Sequence, residues 1–336
     1  MAELLPFAPT RFAEKIARIR AGGARKGDFM LADAKDADLA GGILSMGPRR
    51  DGTGRITGTR SLPEFRAQLR ELVAQDVLDI LLTSTSNAEY LADQGVFNGS
   101  GMLSAFRGNE ATDAWVSLRG GRYRETPARP HRGADLSRAR APICLYSITF
   151  VNDAERDALS LEAYAAFRKD ARANGIRHFL EVFNPNVDPQ LGVHSIGSFV
   201  NDCIVRAIAS LTRAERPEFL KVAYNGPEAL TELVAHDPEM VVGVLGGGGG
   251  THRDTFELLA QAEACGARLA LFGRKINMAE HQTSLIAWMR RVVDRDCTPA
   301  EAVRGYHGDL SRLGLASDRD LDTDLGITED VLRRGA

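Results

Sequence analysis

Eight short apolar runs, separated mostly by helix-like segments, set the tightest limit on what this chain can fold into. They are DFMLADA (28–34), LDILLTS (78–84), DAWVSLR (113–119), ICLYSITF (143–150), RHFLEVF (177–183), FLKVAYN (219–225), EMVVGVLG (239–246) and ARLALFG (267–273). Each is apolar on both faces, the pattern of a parallel strand covered on both sides. Eight such units predict an α/β fold, a (β/α)8 TIM barrel, over an open doubly wound sheet. The barrel is expected over 28–295, with an N-terminal helical extension (1–27) packed outside it and a C-terminal helical tail (296–336).

The helices carry readable signals. Ser61-Leu-Pro-Glu64 and Thr298-Pro-Ala-Glu301 are capping boxes with proline in the tolerant first turn. Ser160 is expected to open a helix ending near Gly175, and Thr251 with Asp254 to open one ending at Gly266.

Composition removes several classes of function. A net charge of −3 in 336 residues argues against a nucleic-acid partner or an anionic membrane surface. No apolar run approaches the roughly 20 residues that span a bilayer. The N-terminus lacks a secretory pattern, and four scattered cysteines without a CxxC pair fit reduced thiols, so a cytoplasmic location is expected. His178, His194, His252 and His281 show no metal-ligand spacing, so neither a metal nor another cofactor is expected.

One residue asks for chemistry. Lys221 sits mid-strand in FLKVAYN, where an unpaired ammonium is costly to bury. Alternation puts it on the face of Phe219 and Ala223. The same reasoning groups Asp33 with Phe29 and Leu31, Glu181 with Phe179 and Phe183, Ser147 with Thr149, and Ser117 with Arg119. If these faces point inward, an amine and two carboxylates meet at the C-terminal end of the barrel, where barrel sites lie. A second signal is GGGGGT (246–251) followed by Gly273-Arg274-Lys275. Glycine N–H groups and a helix N-terminus suit an anion there.

FLKVAYNGPEAL and VVGVLGGGGGTHRDTFELLAQAEACGARLALFGRKI resemble the class I, Schiff-base aldolases of the deoxyribose-phosphate, tagatose-bisphosphate and fructose-bisphosphate type. The likeness is good over 177–293 and thin before it. It implies a (β/α)8 barrel, with Lys221 as nucleophile and Glu181 and Asp33 as acidic partners. It further implies a phosphate site at Gly247, Gly248, the adjoining Gly249, Gly273 and Arg274. The expected activity is an aldehyde-lyase reaction on a phosphorylated keto sugar in carbohydrate metabolism. Arg119, Ser147 and Thr149 are candidate substrate contacts, with Arg49 or Arg50 for a second anionic group. An assembly of identical chains is the expected state. A phosphosugar isomerase or epimerase, and a non-catalytic sugar-phosphate-binding barrel, are the alternatives.

Overall fold

The computed structural model describes residues 9–111, 117–333 and 335. Eight parallel strands close into a barrel: β1 (Met30–Lys35), β2 (Ile80–Thr83), β3 (Leu103–Arg107), β4 (Ile143–Thr149), β5 (Arg177–Phe183), β6 (Leu220–Val222), β7 (Val242–Leu245) and β8 (Leu269–Phe272). Each pairs with its sequence neighbour, and β1 joins β8 to complete the ring.

Strand three differs from expectation. LSAFR (103–107) fills that place in register with β2 and β4, not 113–119. Of the expected run, 113–116 lie outside the described residues and 117–119 lie in a turn region. LSAFR is short and interrupted by Ser104, which hides its strand character. The chain then makes a two-stranded ribbon, Asn109–Ala111 against Pro130–Gly133, before entering β4.

The helix expected to open at Ser160 runs over Ala154–Ala173 instead. Asp153 caps it by accepting from Arg156 N–H, and Ser160 lies inside with its hydroxyl on the Arg156 carbonyl. The capping boxes at Ser61, Thr251 and Thr298 form as their sequences dictate.

Two apolar clusters divide at the barrel wall. One lies between strands and helices and includes Phe29, Leu31, Tyr146, Leu180 and Leu220. The other fills the lumen: Met30, Ala32, Ala34, Ile80, Leu82, Leu103, Ala105, Ile143, Leu145, Phe179, Phe219, Leu269 and Leu271. Phe12 and Ile16 of the helix Arg11–Arg20 join this second cluster, so that helix plugs one end of the lumen. Phe12 meets Phe219 at 5.8 Å, and Phe219 stacks on Phe179 at 4.4 Å between ring centroids. Ion pairs fasten the plug to the barrel, among them Lys15–Asp79 at 2.8 Å and Arg20–Glu218 at 3.0 Å.

At the other terminus the helix Pro299–Arg312 packs on His252–Ala264 and Gln282–Val293. Short helices Leu321–Asp324 and Asp330–Arg333 follow. Among the described residues no helix is long and apolar enough to cross a membrane.

Candidate active site

The stacked phenylalanines form the floor of a polar chamber. Two residues beyond Phe179 and Phe219, on the same faces, come Glu181 and Lys221, which are paired in register. Lys221 Nζ lies 2.5 Å from Glu181 Oε1, and both side chains are buried. Ser147, the register partner of Glu181 on β4, donates its hydroxyl to Glu181 Oε2 at 2.7 Å. Arg107, at the end of β3, donates to Ser147 Oγ at 3.0 Å and lies 3.8 Å from Glu181. It also pairs with Asp36 at 2.9 Å. Acidic and basic groups therefore alternate along the network, Asp36, Arg107, Glu181, Lys221, the order in which such groups tolerate burial together. Asn109 braces it by exchanging two hydrogen bonds with the Ser147 backbone. Asn184 and Asn225, beyond the ends of β5 and β6, exchange reciprocal amide bonds at 2.8 and 2.9 Å.

Asp33 is not in this chamber. On β1 the lumen face carries Met30, Ala32 and Ala34, while Phe29 and Leu31 belong to the outer cluster. Asp33 shares the outer face and pairs with Lys35 at 3.4 Å. Lys35 donates to Asn277 and Gln282, outside the strands. The inward parity expected for Asp33 is therefore wrong, and Asp36, just past the end of β1, is the carboxylate that meets Arg107. The register that placed Asp33 inside put bulky Phe29 and Leu31 in the lumen, where this barrel has small alanines. Burial pushes Asp33 up to about 6, against the opposing pull of Lys35. It likewise pushes Lys35 down to about 8, against Asp33.

Ser147 and Thr149 are buried on β4, Ser147 within the network. Arg119 is exposed on a turn and reaches none of these groups by any contact described. Arg49 is exposed, and Arg50 is held by Asp318 at 2.6 Å. Tyr146 faces outward and packs on Tyr164 and Phe167.

The glycine loop follows β7. Gly247 and Gly250 have φ of +64° and +59°, left-handed values that glycine adopts without strain. A Cβ on Gly247, Gly248 or Gly249 would meet nothing within 4 Å, so open space lies beside the loop. Gly273 is the reverse case: a Cβ there would sit 2.8 Å from the Ala34 carbonyl oxygen. Arg274 follows at the rim. Burial and then the neighbouring Arg124 guanidinium push it below its ordinary value, with Glu329 opposing. Arg124 and Arg274 are thus two close cations, and neither forms an ion pair among the described residues. Arg124 comes from the arginine-rich segment 119–140. Lys275 turns away to Glu329 at 2.8 Å and the Gly249 carbonyl at 3.4 Å.

An archaeal fructose 1,6-bisphosphate aldolase superposes with a TM-score of 0.57 at 14% identity, over 84% of this chain and 99% of its own. A Schiff-base-forming fructose-1,6-bisphosphate aldolase gives 0.57 at 15% identity with the same coverage. This chain has the fold of the Schiff-base aldolases. A Corynebacterium glutamicum protein matches at 0.53 and 17% identity, over 87% of this chain and 100% of its own. No family model and no curated protein sequence matches the chain. The likeness is one of architecture; chemistry resides in the side chains placed on it. A cleft of about 1030 Å³ opens elsewhere, beside the starts of β5 and β6, but many of its charges are paired internally, Arg20 and Arg177 to Glu218 and Arg168 to Glu215.

Proposed function

We propose that this chain is a class I aldolase that makes or breaks a C–C bond of a phosphorylated keto sugar through a Schiff base on Lys221. The observation that carries the reading is the Lys221–Glu181 contact of 2.5 Å in the lumen, directly above an apolar floor. An amine attacks a carbonyl only when neutral, and a carboxylate at that distance is placed to take its proton.

Nζ adds to the substrate carbonyl carbon and gives a carbinolamine. Glu181 returns the proton to the carbinolamine oxygen, which leaves as water, and the nitrogen keeps an iminium. The iminium accepts the electron pair of the bond between the α and β carbons as that bond breaks, leaving an enamine. The hydroxyl on the departing carbon loses its proton to become an aldehyde, and Asp36, held by Arg107, is the base we assign to it. Protonation of the enamine and hydrolysis of the iminium then restore Lys221.

Phosphate recognition is assigned to the Gly247–Gly249 amides, Gly273, Arg274 and Arg124. Two neighbouring arginines that form no ion pair among the described residues, with open space beside the glycine loop, favour a ligand carrying negative charge, although the Glu329 carboxylate is also felt at Arg274. Ser147 and Thr149 line the β4 side. Borohydride reduction with a phosphorylated ketose should leave a stable adduct on Lys221, found by peptide mass mapping. Turnover without any adduct would favour isomerisation by Glu181 and Asp36 alone.

A further inference from the structure

Behind the glycine loop lies a second polar cluster that the aldolase reading does not use. His252 opens the helix His252–Ala264, His307 lies in Pro299–Arg312, and Asp324 ends Leu321–Asp324. Asp324 Oδ2 is 2.6 Å from His252 Nδ1 and 2.8 Å from His307 Nε2. One ligand atom from each of the three residues can be taken so that all lie within 4.8 Å of one another. We propose that His252 Nδ1, His307 Nε2 and Asp324 Oδ2 bind one divalent transition-metal ion of the zinc class.

Ligand chemistry supports this. Two imidazole nitrogens and one carboxylate oxygen suit zinc, which bonds such atoms at roughly 2.0–2.2 Å, better than calcium or magnesium, which take oxygen. The surroundings are those of a metal site as well. His252 Nε2 faces Glu280 Oε2 at 3.4 Å, and a carboxylate on the far nitrogen orients a ligating histidine. Glu280 is itself fixed by the Tyr306 hydroxyl at 3.0 Å and the Asp318 N–H at 2.8 Å. The other oxygen of Asp324 accepts the His252 N–H at 2.8 Å, which aims Oδ2 at the imidazoles.

Charge points the same way. Asp324 and Glu280 are buried, and among the described residues neither has a lysine or arginine ion pair. Arg50 lies within Coulombic reach of Glu280 but bonds Asp318. The cluster thus brings two carboxyl groups, Asp324 and Glu280, to the imidazoles, and a divalent ion supplies charge of the opposite sign. The ion would tie the tail to the phosphate loop, where Thr251 Oγ1 already donates to the Gly326 carbonyl at 2.7 Å and Glu329 pairs with Lys275.

The test uses the full chain, stripped with a chelator and titrated with Co²⁺ and Zn²⁺. Uptake of one Co²⁺ with a visible ligand-field band, displaced by one Zn²⁺ and accompanied by a rise in Tm, is the expected result. Glu280→Gln should weaken binding about 10–100-fold. His307→Gln, near the edge of the cluster, should abolish the band while circular dichroism stays unchanged, and Asp324→Asn should do the same if it folds. No stoichiometric uptake by the wild type, or uptake unaltered by His307→Gln, overturns the proposal. Neither result depends on whether Lys221 forms an adduct.

Discussion

Two of the buried lysines stand on strands of the barrel, on opposite sides of its wall, and each faces a carboxylate. Lys221 points into the lumen, 2.5 Å from Glu181, within a network that also bonds Ser147 and Arg107. Lys35 points outward, 3.4 Å from Asp33, and neither oxygen of Asp33 receives a hydrogen bond. A buried ammonium is therefore no signature by itself. The lumen pair has counter-charges on both sides, an apolar floor and a glycine loop on the neighbouring strand. The outer pair is fully buried, and Lys35 spends its donors on Asn277 and Gln282. What separates a reactive amine from a structural one is what lies next to it and what can reach it.

The strongest way to break this contrast is to exchange the roles. Lys221→Met should remove the borohydride adduct and lower aldol turnover by at least roughly 10⁴-fold, while Lys35→Met should leave the adduct in place. Mass mapping after reduction reads both, and an adduct that survives Lys221→Met refutes the assignment. Next in size is Glu181→Gln, with an expected loss of about 10²–10⁴-fold in kcat. Asp33→Asn should leave kcat unchanged within error; equal damage from the two would mean that both carboxylates serve the reaction.

A smaller effect sharpens the lumen side. Arg274→Ala should lower kcat/KM for a phosphorylated ketose about 10–100-fold, chiefly through KM, and leave its unphosphorylated analogue untouched. A uniform loss for both substrates would remove Arg274 from the phosphate site.

The effect expected of the outer pair appears only in stability. Asp33 is raised from 3.8 to about 6, so between those values the folded state holds more proton than the unfolded one. Its contribution is present below pH 3.8 and is lost as pH rises through about 6. Lys35 is lowered from 10.5 to about 8, so its contribution is present above 10.5 and is lost as pH falls through about 8. Comparing wild type with Asp33→Asn between pH 4 and 6 should show a divergence of at most roughly 3 kcal/mol, with the variant the flatter. Parallel Tm–pH curves would show that Asp33 does not titrate in this window.

Much of the barrel was legible because its walls are written in local pattern. RHFLEVF begins and ends where β5 does, and the capping boxes at Ser61, Thr251 and Thr298 mark the helix starts. Strand three was missed because LSAFR is no more apolar than its surroundings and is fixed by pairing with β2 and β4, a non-local cause. The parity of β1 failed for a related reason. Alternation gives two faces but not which one looks inward, and Asp33 lies on the outer one. Arg107 was invisible once its strand was misplaced, and Arg124 sits in a loop whose path no periodicity encodes. Lys221 and Glu181 were legible because each stands two residues past a phenylalanine of the lumen floor.

The helix Arg11–Arg20 has a consequence for traffic. With Phe12 and Ile16 corking one end, that end offers reactants no way through, so they would come and go by the opposite mouth. For a reaction that yields two fragments, the outer one must depart before the one still tethered to the amine can follow. A chain trimmed to start at β1 would lose the cork and lay the underside of the stacked phenyl rings open to water.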